Sequence, residues 1–115
     1  MSEPKEEIVR ALIAEPKHLK GIREELVHQN EDDPDRKLVK LMIDLDRMGV
    51  VPTLAVMQDQ LRESKAFDLL AYLNEAVHVE QRRTTTYIID FLASQYNERE
   101  QFRIYNEGIR MLGIT

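Results

Sequence analysis

Residues 84 to 112 contain no proline and one glycine, Gly108, so nothing in this run interrupts a helix. A single helix of about 29 residues would be about 43 Å long at 1.5 Å per residue. A compact domain of this chain length has a radius of gyration of only about 13 Å. The run therefore predicts a helix that either projects beyond the globule or bends at Gly108. Five of the seven aromatic residues, Tyr87, Phe91, Tyr96, Phe102 and Tyr105, lie on it, more than one compact face uses. Exposed aromatics on a projecting helix make a docking surface. Tyr87 and Phe91 fit core packing as well as docking, whereas Phe102 and Tyr105 fit docking better.

The preceding residues read as short helices separated by punctuation. Ser2 is a good N-cap for a first helix carrying Ile8, Ala11 and Leu12, which Pro16 interrupts. Leu19, Ile22, Arg23 and Leu26 continue the three-and-four spacing into a second helix ending near His28, after which 29–33 is a polar loop. Asp33-Pro34 starts a third, because the Asp side chain can accept from free backbone N–H groups while Pro sets the first helical φ. Its stripe is Leu38, Leu41, Met42, Leu45 and Met48, and Gly49 stands where a left-handed cap closes it. Pro52-Thr53 starts a fourth along Leu54, Met57 and Leu61, closed by Ser64-Lys65, and a largely buried fifth covers about 67–77. No segment has the alternation of a strand. The expectation is an all-α fold: a globular bundle of about five short helices in residues 1–80, followed by a long projecting helix in 81–115 that forms one arm of a helical hairpin.

Composition excludes several function classes. There is no cysteine, hence no disulfide, thiolate chemistry or cysteine-based zinc site. His18, His28 and His78 sit in separate segments without H-E-x-x-H spacing. Glu31, Asp32, Asp33 and Asp35 are the densest carboxylate group, but they lack the alternating ligands, central Gly and distal Glu of an EF-hand and read as a solvated loop ending in an N-cap. Ser64 and Ser94 have no nucleophile elbow, and no glycine-rich phosphate loop occurs. Arg82-Arg83 reads as a solvated turn. No enzyme activity, cofactor or metal is expected of this domain. The net charge of -5 argues against strong nucleic-acid binding and for protein partners. No stretch is long and apolar enough to span a bilayer, and residues 1–15 are too acidic for a signal peptide, so a cytoplasmic location without membrane contact is expected.

The order of segments is itself specific. Arg36-Lys37-Leu38-Val39-Lys40-Leu41-Met42-Ile43-Asp44-Leu45, then Gly49, a Pro-containing turn and Leu54 to Leu61, resembles the N-terminal domain of DnaB-type replicative DNA helicases. The likeness continues through Ser64-Lys65 and Tyr72-Leu73 to the last helix, where Tyr87, Phe91 and Arg99 match positions at which that family places aromatic or apolar residues and an Arg. It covers nearly the whole chain and rests on collinearity rather than on one motif. Two features depart from it. Asp68-Leu69-Leu70-Ala71 stand where the family often has Gly-Gly before Tyr-Leu, and neither a second hairpin arm nor a motor domain with a phosphate loop lies in these 115 residues. Glu7 to Leu19, an apolar run ending in Pro16-Lys17-His18-Leu19, is similar to the start of the helicase-binding C-terminal domain of bacterial primases, which shares the fold.

The resemblance implies a domain that joins a hexameric helicase collar through its last helix and binds primase or a helicase loader during DNA replication. The primase-type alternative implies a domain that binds the helicase instead, and a stand-alone helical adaptor of the replisome is a third reading. The residues expected to carry partner contact are Tyr87, Phe91, Tyr96, Arg99 and Phe102.

Overall fold

A computed structural model describes residues 3–113, and Ser2, the expected first N-cap, lies outside them. Five α-helices follow in order: α1 Ile8–Ala14, α2 Pro34–Arg47, α3 Leu54–Glu63, α4 Phe67–Ala76 and α5 Thr85–Met111. Three 3-10 turns complete the described fold, at Pro4–Glu7, Pro16–Gly21 and Glu24–Leu26. The described residues contain no strand.

The helix limits follow from local chemistry. Asp33 accepts from the Arg36 N–H at 3.0 Å and Pro34 occupies the first turn of α2. The Thr53 hydroxyl accepts from Val56 N–H at 3.3 Å and the Thr84 hydroxyl from Tyr87 N–H at 3.1 Å, each satisfying a donor that the first helical turn leaves free. Gly49, at φ +78°, closes α2 in the left-handed conformation that glycine adopts without Cβ strain. The link from α3 to α4 turns through Lys65 at φ +57°.

The second expected helix, from Leu19 to His28, is not formed. Two 3-10 turns take its place, separated by Ile22 and Arg23 in extended backbone at ψ 147° and 148°. Gly21 precedes them, and Ile22 and Val27 drop into the core from this irregular path, at 4% and 2% exposed. The three-and-four spacing was real, but a helix between Pro16 and Asn30 would be short and marginal, and burial of these two side chains from an extended corner replaces it.

The core brings every α-helix together. Ile8, Leu12, Leu38, Met42, Met57, Leu73 and Ile88 are fully buried. α3 and α4 fold back on one another, α2 crosses α1 and α4, and α5 lies against α1 and the 3-10 turns at Pro4–Glu7 and Glu24–Leu26. Beyond Leu92 no residue of α5 is buried. The helix nonetheless continues through Gly108 to Met111, so the chain measures 53 × 31 × 28 Å, with a radius of gyration of 16.1 Å.

Candidate interaction surface

The base of α5 is mounted on three charged side chains from the N-terminal segment. Glu7, fully buried, accepts from the backbone N–H groups of Arg82 at 2.7 Å and Arg83 at 3.2 Å, and pairs with the Arg83 guanidinium. Arg10 donates to the carbonyls of Val77 at 3.2 Å and Val79 at 2.7 Å, fixing the chain between α4 and α5. The Thr85 hydroxyl donates to Glu15 at 2.6 Å, and this bond holds the Glu15 carboxyl below its usual range. Arg82-Arg83, expected as a solvated turn, is in this respect a structural turn closed by a buried carboxylate.

A second polar cluster ties the N-terminal turn to α2 and α4. Asp35 is fully buried and accepts from Lys5 at 2.7 Å and from the Tyr72 hydroxyl at 2.9 Å. Burial pushes its carboxyl above the usual range, opposed by these two donors, and burial together with the Asp35 charge pushes the Tyr72 hydroxyl up. Arg36, 8% exposed, donates to the carbonyls of His28 and Gln29 and faces Glu24 at 3.4 Å. The carboxylate group expected to be a solvated loop thus divides: Asp32 is open to solvent, Asp33 caps α2 and meets Lys5 at 2.8 Å, and Asp35 belongs to the interior. Nothing local distinguishes Asp35 from Asp32; only the meeting with Lys5 and Tyr72, far away in sequence, does.

The five residues expected to contact a partner fall on two faces of α5. The inner face, set by buried Thr85, Ile88 and Leu92, continues at helical spacing through Tyr96 and Arg99. Tyr96 is half-buried, with the guanidinium carbons of Arg23 and Arg99 at 5.4 and 5.8 Å from its ring centre, within cation–π range. Arg99 also donates to the Glu25 carbonyl at 3.1 Å. These two residues hold α5 on the globule.

Tyr87 and Phe91 lie on the outer face, and Phe102 lies at its edge, where it also borders the groove on the inner side. Tyr87 and Phe91 stack with ring centres 6.4 Å apart and planes inclined by 15°, and Phe91 borders a groove floored by Pro4 and Val27. Phe102 is 68% exposed, Tyr105 66% and Leu112 76%. The spacings from Tyr87 through Phe91, Phe102 and Tyr105 to Leu112 are four, eleven, three and seven, each close to whole helical turns, so the five form one stripe. Ser94 and Glu98 occupy the gap in it. Tyr105, read from the sequence as suited to docking, belongs to this stripe although it was not among the five expected contacts, and Leu112, just past the end of the helix, was not expected at all although the same spacing marks it.

On the inner side, distal α5 overhangs a groove of about 610 Å³ bounded across the gap by Glu25, Gln29 and Arg36. Among the described residues no helix is long and apolar enough to cross a membrane. Comparison with protein-family models, with curated proteins and with solved structures finds no match to this chain.

Proposed function

We propose that this chain is a protein-docking domain of the DNA replication machinery, equivalent to the N-terminal collar domain of a DnaB-type helicase, with α5 as the arm that meets a second arm and a primase or loader. The collinear resemblance along the sequence motivates the choice of system. The observation that carries the docking role is the outer stripe of α5, whose distal members Phe102, Tyr105 and Leu112 are each about two-thirds exposed or more on a helix that leaves the globule. Solvent-facing aromatics in line on an ordered helix suit burial against another helix, at about 25 cal/mol per Å² before association costs. The domain contributes contact and orientation, and needs no chemistry of its own.

The test is the mass of the domain in solution over a concentration series, followed by addition of a DnaB-type helicase or its primase. Concentration-dependent self-association with primase binding, both lost in Phe102→Ser/Tyr105→Ser, is the expected result. A monomer that binds the helicase hexamer instead points to the primase-type domain, and one that binds neither rejects the replication reading.

A further inference from the structure

The inner face of α5 changes character where the helix leaves the globule. Up to Leu92 it is apolar and buried; beyond Arg99 the positions that would continue it are Arg103, Asn106 and Arg110. They overhang the groove opposite Arg36, with the rings of Tyr96 and Phe102 among its walls. Arg23 adds a fifth guanidinium through its contact with Tyr96. Against these five cations stand four carboxylates: Glu24, which faces Arg36, and Glu25, Glu100 and Glu107 on the groove walls. Two of the four are engaged by Arg103, at 2.9 Å each. Arg103 and Glu107 are more than half exposed, and solvated helix-surface pairs of this kind hold only weakly, so an incoming carboxylate can exchange into them. Arg99 donates to a neutral carbonyl, a bond that does not cancel its charge. In a protein of net charge -5, this groove has a positive excess, and it combines arginines with aromatic rings, the residue types that dominate binding energy at interfaces.

We propose that this groove is the docking site for an acidic peptide segment of a partner protein, its carboxylates on Arg99, Arg103 and Arg110 and an apolar side chain against Phe102. Planar guanidiniums on successive turns of one helix suit discrete carboxylates, which they can bind in a forked geometry. A continuous phosphate backbone suits the site less, because Glu100 and Glu107 interrupt the arginines along the helix, and separated carboxylates can sit on the guanidiniums between them where an unbroken line of charge cannot. The inference rests on α5 being a docking element, and it assigns the inner face to a different contact from the outer stripe.

The test is fluorescence anisotropy of a short labelled peptide rich in Asp and Glu with one central Phe, titrated with the full chain. Micromolar binding is expected, weakening at least tenfold between about 50 and about 500 mM sodium chloride, because partly exposed charge pairs are screened by salt. Arg103→Glu/Arg110→Glu should abolish it, and the neutral Arg103→Gln/Arg110→Gln should weaken it at least fivefold while circular dichroism shows α5 intact. No binding by the wild type, equal binding of a Lys-rich counterpart, salt-insensitive binding, or unchanged affinity in both variants overturns the proposal. Tighter binding of single-stranded oligothymidylate through the same arginines overturns it in favour of nucleic acid. Self-association of the same samples separates the two readings. Absence of peptide binding with the arms still associating rejects the groove alone, whereas peptide binding by a chain that neither self-associates nor binds primase rejects the collar alone.

Discussion

The two ends of α5 solve opposite problems with similar residues. At its base, Arg83 meets a fully buried Glu7, and Ile88 and Leu92 fill the core. At its tip, Arg103 meets Glu100 and Glu107 in solvent, and Phe102 and Tyr105 face outward. The chemistry of the pairs is alike; the dielectric around them is not. A carboxylate taken wholly out of water loses several kcal/mol of hydration and persists only where donors surround it, so removing it disturbs the whole base. Pairs at the tip cost and contribute little. Stability is therefore concentrated at the base, and the tip is free to carry surface chosen for binding.

This contrast breaks most visibly at Glu7. Glu7→Ala leaves the Arg82 and Arg83 amides and the Arg83 guanidinium without their carboxylate, and should lower the free energy of unfolding by about 3 to 5 kcal/mol in urea titration. A loss below about 1 kcal/mol would mean that the base is not held by this carboxylate.

A smaller effect is expected at the second buried carboxylate, and it is read through pH. Burial raises the Asp35 pKa above its ordinary 3.8, so between that value and its folded-state value the native protein holds more protons on this group than the unfolded chain does. The contribution of Asp35 to stability is then greatest at acid pH, where it is protonated in both states, and falls as pH rises through that window, where only the native state keeps the proton. The stability of wild type relative to Asp35→Asn should accordingly decline with rising pH just above pH 4. A relative stability that climbs instead would show that Lys5 and Tyr72 outweigh burial.

The smallest change belongs to the tip. A Cβ at Gly108 meets no atom within 4 Å, and the residue is helical. Gly108→Ala should therefore add about 0.5 to 1 kcal/mol of local helix stability, seen as slower amide hydrogen exchange in 105–112 with the global unfolding midpoint unchanged. A shift of that midpoint would mean that base and tip unfold as one.

Much of the fold was legible because it is written locally. Asp33, Thr53 and Thr84 cap the helices that follow them, Gly49 ends α2, and the proline-free run from 84 gives a helix of 27 residues. Where the outcome depends on distant partners, local reading fails. Glu7, Asp35 and Arg36 carry no mark in the sequence that separates them from exposed charged neighbours, and their burial follows from Arg83, Lys5, Tyr72 and the His28 carbonyl arriving from elsewhere. The segment around Ile22 and Val27 had the right periodicity and too little length. On α5, spacing alone identified a surface helix with too many aromatics, but assigning Tyr96 and Arg99 to the inner face needed the position of Arg23 and Glu25.

The bond from Glu7 to Arg83 spans 76 residues of sequence, and this has a consequence for how the chain folds. A helical protein gains speed from contacts close in sequence, and short loops cost less conformational entropy to close than long ones. Here α2, α3 and α4 can assemble from near neighbours, while the N-terminal turn and α1 must wait until residues 82–85 arrive to complete their surroundings. During synthesis, Ile8 and Leu12 therefore lack part of their cover until the base of α5 has emerged, and the tip, made after the base, adds nothing to that closure.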